Sequence, residues 1–159
     1  MPELKKIIPN IKYILAGRAD EVEANIIQSL SNELKLNDTL TLAGYIKEEE
    51  LMNHYTMSDV FIMPSQKEGF GIVFIEAMAY GLPAIAGNKD GSVDALQEGK
   101  LGTLINPDSL SEISESILTF YKQRNNYNKE QKQNLQMMAY STFGFDKYKE
   151  RFKRILLEN

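Results

Sequence analysis

The sequence predicts an α/β fold in which a mostly parallel sheet has helices on both faces. β-prone segments alternate with segments of helical periodicity along most of the chain, and several of the β-prone segments end at Gly17, Gly44 or Pro64. Strands that alternate with helices form βαβ units with right-handed crossovers. Ligands of such sheets bind outside the carboxyl ends of the strands, so a site is expected in the loops that follow them.

Runs of aliphatic and β-branched residues, bounded by turn residues, predict the strands. In chain order these are Ile11–Ala16, Thr39–Ala43, Asp59–Met63, Pro83–Ala86 and Gly102–Ile105. Apolar residues at helical spacing, such as Val22, Ile26 and Leu30, predict the helices, and Asp20 is suited to cap the first long one. The predicted helices are Val22–Leu36, Lys47–Met57, Ile72–Tyr80, a turn at Ser92–Gln97, Leu110–Arg124, Lys129–Ser141 and Asp146–Leu157.

Composition and charge exclude several classes of protein. Of the 159 residues 43% are apolar and 25% charged, which is typical of a soluble globular protein, and we interpret residues 1–159 as one domain. The 18 basic and 22 acidic side chains give a net charge of −4, so the positive field that nucleic-acid binding requires is lacking. Without cysteine there is no disulfide or thiolate metal site, and the single His54 excludes a histidine-rich one. No apolar run approaches roughly 20 residues, and the start lacks a signal peptide's apolar region, so the sequence predicts a cytoplasmic protein.

The beginning of the chain is unusual for this fold class. Residues 2–8 have the pattern of a helix end, and no strand precedes them, so we expect the chain to be a fragment that lacks its opening strand. In a sheet of the Rossmann order the first strand lies centrally. We therefore predict either that Ile11–Ala16 pairs directly with Asp59–Met63 or that another chain supplies the pairing, because buried unpaired backbone groups are costly.

The most informative stretch is residues 64–83, PSQKEGFGIVFIEAMAYGLP. Its helix is apolar nearly all round, which predicts burial, and Glu76 is the only charged residue in it. A buried carboxylate needs hydrogen bonds or a polar cleft. From the pattern alone Glu76 either pairs with a lysine or with backbone amides, or it faces a ligand.

Two glycines flank one aromatic residue just before this helix, in Glu68-Gly69-Phe70-Gly71. Glycine permits positive φ and close approach of a ligand, and the amides of Phe70, Gly71 and Ile72 would lie at the helix N-terminus, where anions bind. Such a turn is by itself also an ordinary strand-to-helix connection. Glu76 would lie on the order of 6 Å of axial rise past Ile72, so two carboxylates flank a potential anion site. Hydroxyl, phosphate and hydroxyl follow in this order along a nucleotide sugar.

Taken together, these segments resemble the retaining glycosyltransferases of the GT-B fold that contain a Glu-x7-Glu motif, the glycosyl transferases group 1. The resemblance covers nearly the whole chain in order, and implies a Rossmann-like, donor-nucleotide-binding domain that forms the C-terminal half of a GT-B enzyme. The matching segments are Lys12–Gly17, residues 42–45 (LAGY), residues 58–65 (SDVFIMPS), Glu68–Pro83, residues 90–96 (DGSVDAL), Gly99–Pro107 and the closing helix near Phe145.

The resemblance also implies roles for individual residues. It places Glu68 on the donor sugar as the catalytic-site carboxylate and Glu76 on the ribose. The donor sugar and diphosphate would further meet Gly69, Phe70, Gly71, Ile72, Gly17 and Arg18, and the nucleotide base would lie beside Tyr45 and Ile46.

The activity implied is that of a hexosyltransferase of polysaccharide biosynthesis. It would move a sugar from a nucleotide-diphosphate donor to a glycan or lipid-linked acceptor with retention of configuration, and it would use no metal or other cofactor. Positive groups and amides would stabilise the departing diphosphate. The acceptor-binding N-terminal domain and the family's Arg/Lys loop are absent from this chain, so we expect it alone to bind donor weakly and to be inactive.

Two alternatives remain open. One is a sugar-nucleotide epimerase of the same architecture, which would need more acids and histidines than the single His54 offers. The other is a non-catalytic nucleotide-binding module.

The last predicted helix is basic and interleaved with apolar residues. Docking onto the absent N-terminal domain is the favoured interpretation of this helix. Peripheral contact with the inner face of the cell membrane is the second interpretation.

Overall fold

The computed structural model describes residues 1–157, and the chain divides into two compact units, residues 1–51 and residues 52 onward. The α/β class with parallel strands and flanking helices is confirmed. The prediction of a single domain over residues 1–159 stays a prediction. Among the described residues, no helix combines the length and apolar character that crossing a membrane requires.

The first unit contains two parallel strands and the helices around them. Its elements are α1 (Pro2–Ile7), β1 (Tyr13–Ala16), α2 (Glu21–Glu33), β2 (Leu40–Gly44) and the first turn of α3 (Glu48–Met57). β1 pairs with β2 from Tyr13 opposite Leu40 onward, with a register shift between Leu15 and Ala16. Asp20 caps α2 as predicted: its side chain accepts the Glu23 amide.

The second unit contains a three-stranded parallel sheet in the order β3-β4-β5. Its elements after α3 are β3 (Phe61–Met63), α4 (Ile72–Ala79), β4 (Ala84–Gly87), α5 (Ser92–Ala95), β5 (Thr103–Ile105), α6 (Leu110–Gln123), a 3-10 turn (Arg124–Asn126), α7 (Lys129–Phe143) and α8 (Phe145–Leu157). β4 is buried along its whole length and occupies the middle of the sheet. The core joins α4, β4, α5 and α7 through residues such as Phe74, Met78 and Leu96. The carboxyl ends of β3 and β4 therefore lead into neighbouring loops.

Two expectations need correction, and one predicted helix has an exposed apolar stripe. Direct pairing of Ile11–Ala16 with Asp59–Met63 is wrong, because β1 pairs with β2 and β3 pairs with β4 in separate sheets. Pairing supplied by another chain stays a prediction. The apolar stripe of α2 is mostly exposed, as Ile26 shows at 62%. α4 is buried on one side only, since Ile72 at its start is 65% exposed while Phe74 is fully buried.

Candidate functional site

Asp90 fastens the loop after β3 to the loop after β4. One oxygen of its carboxylate accepts the backbone N–H of Glu68 at 2.8 Å, and the other accepts the N–H of Ser92 at 3.0 Å. A backbone hydrogen bond also joins the two loops, since the Gly91 N–H donates to the Glu68 carbonyl at 3.0 Å. The position of Glu68 is thus fixed by both loops.

The ionised form of Asp90 is favoured by these contacts. Burial raises the pKa of its carboxyl, but hydrogen bonding, first from the Glu68 amide and then from Ser92 and Ser65, outweighs that effect, and the pKa lies below its ordinary value. The loop connection is therefore present in full at neutral pH.

Two glycines allow the loops to approach at backbone distance. A Cβ atom on Gly91 would collide with the carbonyl oxygen of Gly69, and one on Gly87 would collide with that of Ser65. These atoms belong to backbone, which has little freedom to move aside. Only glycine fits at either place.

The carboxylate of Glu68 turns back onto the N-terminus of α4. It accepts the N–H of Gly71 at 3.1 Å and that of Phe70 at 3.4 Å. Gly71 has a φ of 86°, and a Cβ there would lie 2.5 Å from the Phe74 ring, so glycine is required on both counts.

The next two amides of α4 point out of the helix without a partner. Within residues 1–157, the N–H groups of Ile72 and Val73 make no hydrogen bond. They are the first unpaired donors of the helix, and the positive end of the helix dipole lies at the same place. Of the three amides predicted to meet a ligand, two are held by Glu68 and that of Ile72 is free.

Glu76 lies one turn further along α4 and is half-buried. Its carboxylate accepts a hydrogen bond from the hydroxyl of Tyr55 at 3.0 Å. Tyr55 is itself buried, stacks on Tyr80 and meets Phe61 edge-on. Burial, together with the hydrogen bond to Glu76, raises the pKa of the Tyr55 hydroxyl, so it remains a donor at any physiological pH.

The remaining predicted residues belong to the first unit, where two loops meet. The Gly17 N–H donates to the Gly44 carbonyl at 2.9 Å, at the ends of β1 and β2. The guanidinium of Arg18 lies 4.9 Å from the ring centre of Tyr45, a cation–π contact, and Tyr45 is exposed. Ile46 follows and is half-buried. The structure therefore brings Gly17 to Gly44 and Arg18 to Tyr45, while the roles that the resemblance implies for these residues stay predictions.

Sequence analysis found the two glutamates and missed the residues that hold them. Tyr55 falls within the predicted helix Lys47–Met57, and nothing in the sequence indicates that its hydroxyl has a partner 21 positions away. Asp90 lies in residues 90–96, one of the segments that carry the family resemblance, but the sequence analysis gives it no role. An aspartate two residues before a serine at a predicted helix start is a usable signal, because such an aspartate accepts amides in the turn.

Chemically, the second unit offers two acceptors of hydroxyl groups with two free amides between them. Carboxylates accept strong hydrogen bonds from sugar hydroxyls, and unpaired helix amides bind phosphate oxygens.

Comparison with known proteins assigns the chain to a family. The family model described as glycosyl transferases group 1 matches residues 1–137. Among curated proteins, the GDP-mannose-dependent alpha-(1-6)-phosphatidylinositol monomannoside mannosyltransferase of Mycobacterium tuberculosis is 28% identical over 74% of this chain and 32% of its own length. Spore coat protein SA of Bacillus subtilis is 32% identical over 100% of this chain and 44% of its own length.

Solved structures show the same fold. The Anabaena HepE structure in complex with UDP matches 95% of this chain and 42% of its own, with a TM-score of 0.78 at 24% identity. Sucrose-phosphate synthase from Thermosynechococcus elongatus matches 99% of this chain and 42% of its own, with a TM-score of 0.81 at 24% identity. The chain spans less than half the length of these proteins, and its fold is that of the C-terminal domain of GT-B glycosyltransferases. With a family model that matches most of its residues, this chain belongs to the glycosyl transferases group 1 family.

Proposed function

We propose that this chain binds the nucleotide-sugar donor of a retaining hexosyltransferase. The observation behind the proposal is the arrangement at α4, where Glu68 and Glu76 flank the free amides of Ile72 and Val73. A diphosphate at these amides would have a sugar hydroxyl within reach of one carboxylate and a ribose hydroxyl within reach of the other.

Related proteins support the class of ligand. The HepE structures contain UDP or UDP-glucose, and the mycobacterial relative is described as GDP-mannose-dependent. We therefore propose a nucleoside diphosphate sugar as donor, without choosing between uridine and guanosine. In this proposal Glu76 binds the ribose. The hydroxyl of Tyr55 donates to one carboxylate oxygen of Glu76, and the other carboxylate oxygen accepts the ribose hydroxyls.

The role of Glu68 differs from that of Glu76. Its carboxylate accepts the amides of Phe70 and Gly71, which sets its direction. We propose that it accepts a hydroxyl of the transferred sugar. Gly69 and the free amides would complete the donor site, with Gly17, Arg18, Tyr45 and Ile46 assigned to phosphate and base as the family resemblance implies.

For the transfer step we propose electrostatic stabilisation of the leaving diphosphate by amide donors. The proposal assigns no metal or other cofactor. It places the acceptor, a glycan or lipid-linked sugar, outside this chain on an N-terminal domain, and locates the enzyme in the cytoplasm at the inner face of the membrane. Polysaccharide biosynthesis is the process we propose for it.

Calorimetric titration of the chain with UDP and GDP tests the donor site. We expect Glu76→Gln to weaken binding of the preferred nucleotide about ten-fold, because an ionised acceptor of ribose hydroxyls is lost. Glu68→Ala is expected to leave nucleoside diphosphate affinity within about three-fold and to weaken the sugar nucleotide more strongly. Glu33→Gln, an exposed carboxylate on α2, is the matched control.

Two results would contradict the proposal. One is a wild-type chain that binds neither UDP nor GDP. The other is an equal loss of nucleoside diphosphate affinity in both glutamate variants, which would mean that the division of roles is wrong. Binding with no release of sugar from UDP-glucose or GDP-mannose is the result expected of this chain alone.

A further inference from the structure

The ring of Phe70 connects the donor loop to the end of α7. The term donor loop is used here for residues 68–72, where the proposed function places the transferred sugar and the diphosphate. The rings of Phe70 and Phe143 meet edge-on, with their centroids 6.0 Å apart and their planes at 80°. Phe143 is the last residue of α7, so the contact joins the loop to a helix that packs against α4.

Phe70 is the side chain best placed to anchor this loop. Its neighbours Gly69 and Gly71 have no side chain, and Ile72 is 65% exposed. Glycine on both sides also gives the backbone more freedom than other residues would allow. Phe70 is 39% exposed, so more than half of its surface is covered although it lies in a loop. Contact with Phe143 contributes to that cover.

The backbone of the donor loop is held from a different direction. A Cβ atom on Gly91, in the loop after β4, would collide with the carbonyl oxygen of Gly69 and would lie 2.9 Å from the nitrogen of Phe70. Gly91 therefore supports the loop backbone, and Phe143 supports the ring. Loss of the ring contact would leave the backbone contact in place and would remove a constraint on the direction of the Phe70 side chain.

The conformation of Phe70 bears directly on Glu68. The N–H of Phe70 donates to the Glu68 carboxylate at 3.4 Å, and that of Gly71 donates to the same oxygen at 3.1 Å. The first of these hydrogen bonds is long, and hydrogen bonds weaken steeply as their geometry departs from the ideal. A small rotation of the Phe70 peptide is therefore enough to remove one of the two donors that set the direction of Glu68.

Phe143 is itself held in place. It is half-buried and packs against the core of the second unit. Gly144 ends α7 tightly, because its N–H donates to the carbonyl of Tyr140 at 2.8 Å and a Cβ on it would lie 2.5 Å from that oxygen. The packing and the tight helix end leave the ring of Phe143 little freedom, which suits it to hold a loop.

We propose that Phe143 is a positioning residue for the donor loop: through the ring of Phe70 it holds Glu68 in the direction that a sugar hydroxyl requires. It acts through Phe70 and not by contact with the donor. This inference rests on the proposed function for the identity of the ligand, and it adds a residue of α7 to the parts of the chain that shape the donor site. Because Phe143 acts on Glu68 and not on Glu76, its removal should affect the sugar part of the donor more than the nucleotide part.

Calorimetric titration of the chain compares these two parts. From the usual strength of an edge-on aromatic pair, we expect Phe143→Leu to weaken binding of UDP-glucose or GDP-mannose about three- to ten-fold. The affinity for UDP or GDP should change by less than about two-fold. Phe143→Tyr keeps the ring and should bind all four ligands as the wild type does.

Phe120→Leu is the matched control. Phe120, on α6, is half-buried like Phe143, and its ring meets that of Tyr127 edge-on at 5.8 Å. The control variant therefore removes a comparable aromatic pair of the same unit by the same substitution. It should leave the affinities for nucleotide and sugar nucleotide unchanged.

Two further measurements show whether the effect runs through Phe70. In a chain that already carries Phe70→Leu, the addition of Phe143→Leu should weaken sugar-nucleotide binding by less than about two-fold more, since the ring contact is already lost. Without any ligand, the amides of Phe70 and Gly71 should exchange hydrogen at least about three-fold faster in Phe143→Leu than in the wild type. Phe120→Leu should not change their exchange.

Several results would overturn the inference. These are an equal effect of Phe143→Leu and Phe120→Leu on sugar-nucleotide binding, an equal loss of UDP and UDP-glucose affinity in Phe143→Leu, an undiminished effect in the Phe70→Leu background, and unchanged exchange of the two amides. A wild type that binds neither UDP nor GDP contradicts the donor proposal instead. In that case the exchange measurement still decides whether Phe143 orders the loop.

Discussion

The hydroxyl of Tyr55 donates to the carboxylate of Glu76 across 3.0 Å, from one helix to the next. Glu76 is thereby supplied with a polar partner inside an otherwise apolar helix, and its second oxygen is left for another donor. Among residues 1–157 neither a lysine nor a backbone amide bonds to its side chain, although both are possible partners from the sequence pattern. The contact gives the proposed ribose carboxylate one fixed direction.

Removal of this hydroxyl should cost both stability and affinity. We expect Tyr55→Phe to lower the free energy of unfolding by on the order of 1 kcal/mol, since the ring contacts remain and one hydrogen bond to a charged group is lost. Nucleoside diphosphate binding should weaken about two- to five-fold, because Glu76 is no longer held in place. Urea denaturation and calorimetry measure the two effects. Tyr80→Phe is the control, and an equal effect there would contradict the role of the Tyr55 hydroxyl.

The approach of the two loops makes Gly91 sensitive to a single methyl group. Gly91→Ala would push a Cβ into the carbonyl of Gly69, so we expect a loss of about 2 kcal/mol or more in the free energy of unfolding. Gly69→Ala is the matched control, because a Cβ at Gly69 meets no atom within 4 Å. Thermal denaturation compares them. Similar melting temperatures for both variants would show that the loops separate easily.

The link through Asp90 should give stability a defined dependence on pH. The pKa of its carboxyl is lowered in the folded state, so its contribution is complete above the unfolded value of about 3.9 and is lost as the pH falls through the lower folded value. Asp90→Asn should therefore be less stable than the wild type by about 1 kcal/mol at neutral pH.

The difference between wild type and Asp90→Asn should narrow as the pH falls from about 4, where the unfolded carboxyl begins to be protonated, through the lower folded pKa. Urea titrations at a series of pH values measure it, with the exposed Asp94→Asn as control. A difference that widens in acid would contradict the assignment of Asp90 as an ionised acceptor.

The N-terminal cap of α7 should contribute to the stability of the second unit, because α7 packs against α4. The side chain of Asn128 accepts the amides of Glu130 at 2.9 Å and Gln131 at 3.2 Å, and the Gln131 side-chain oxygen accepts the backbone N–H of Asn128 at 3.2 Å. Asn128→Ala should lower the free energy of unfolding by about 1 kcal/mol. Asn125→Ala, which removes an exposed amide without a cap, should change it little. Equal stabilities would mean that water replaces the cap.

Local patterns in the sequence were sufficient to predict the strands and helices, but not to predict which parts of the protein pack against them. β3 and α4 were predicted within two residues of their bounds, because a strand ended by Pro64 and a helix begun after Gly71 are determined by nearby residues. Whether the apolar stripe of α2 is buried or exposed could not be predicted, because helical spacing shows which residues share a face and not what covers that face. Ile26 remains exposed for this reason.

The same limit applies to the candidate site. Spacing alone placed Glu68 in a loop and Glu76 one turn inside a helix, and both positions are confirmed by the structure. That Glu68 uses its own carboxylate to hold the amides of Phe70 and Gly71 depends on rotamers that the sequence does not specify. The contact of Tyr55 with Glu76 depends on how α3 crosses α4, which no local pattern describes.

The attachment of the loop after β3 has a consequence for how such a protein can change. Its shape depends on Gly87 at the end of β4, on Asp90 and Gly91 in the loop that follows β4, and on backbone atoms of its own. Exposed side chains within it, such as Gln66 and Lys67, take little part in that attachment. Substitution there would alter what the loop recognises while its path stays the same, so new donor preferences are best sought by varying these side chains over an unchanged frame.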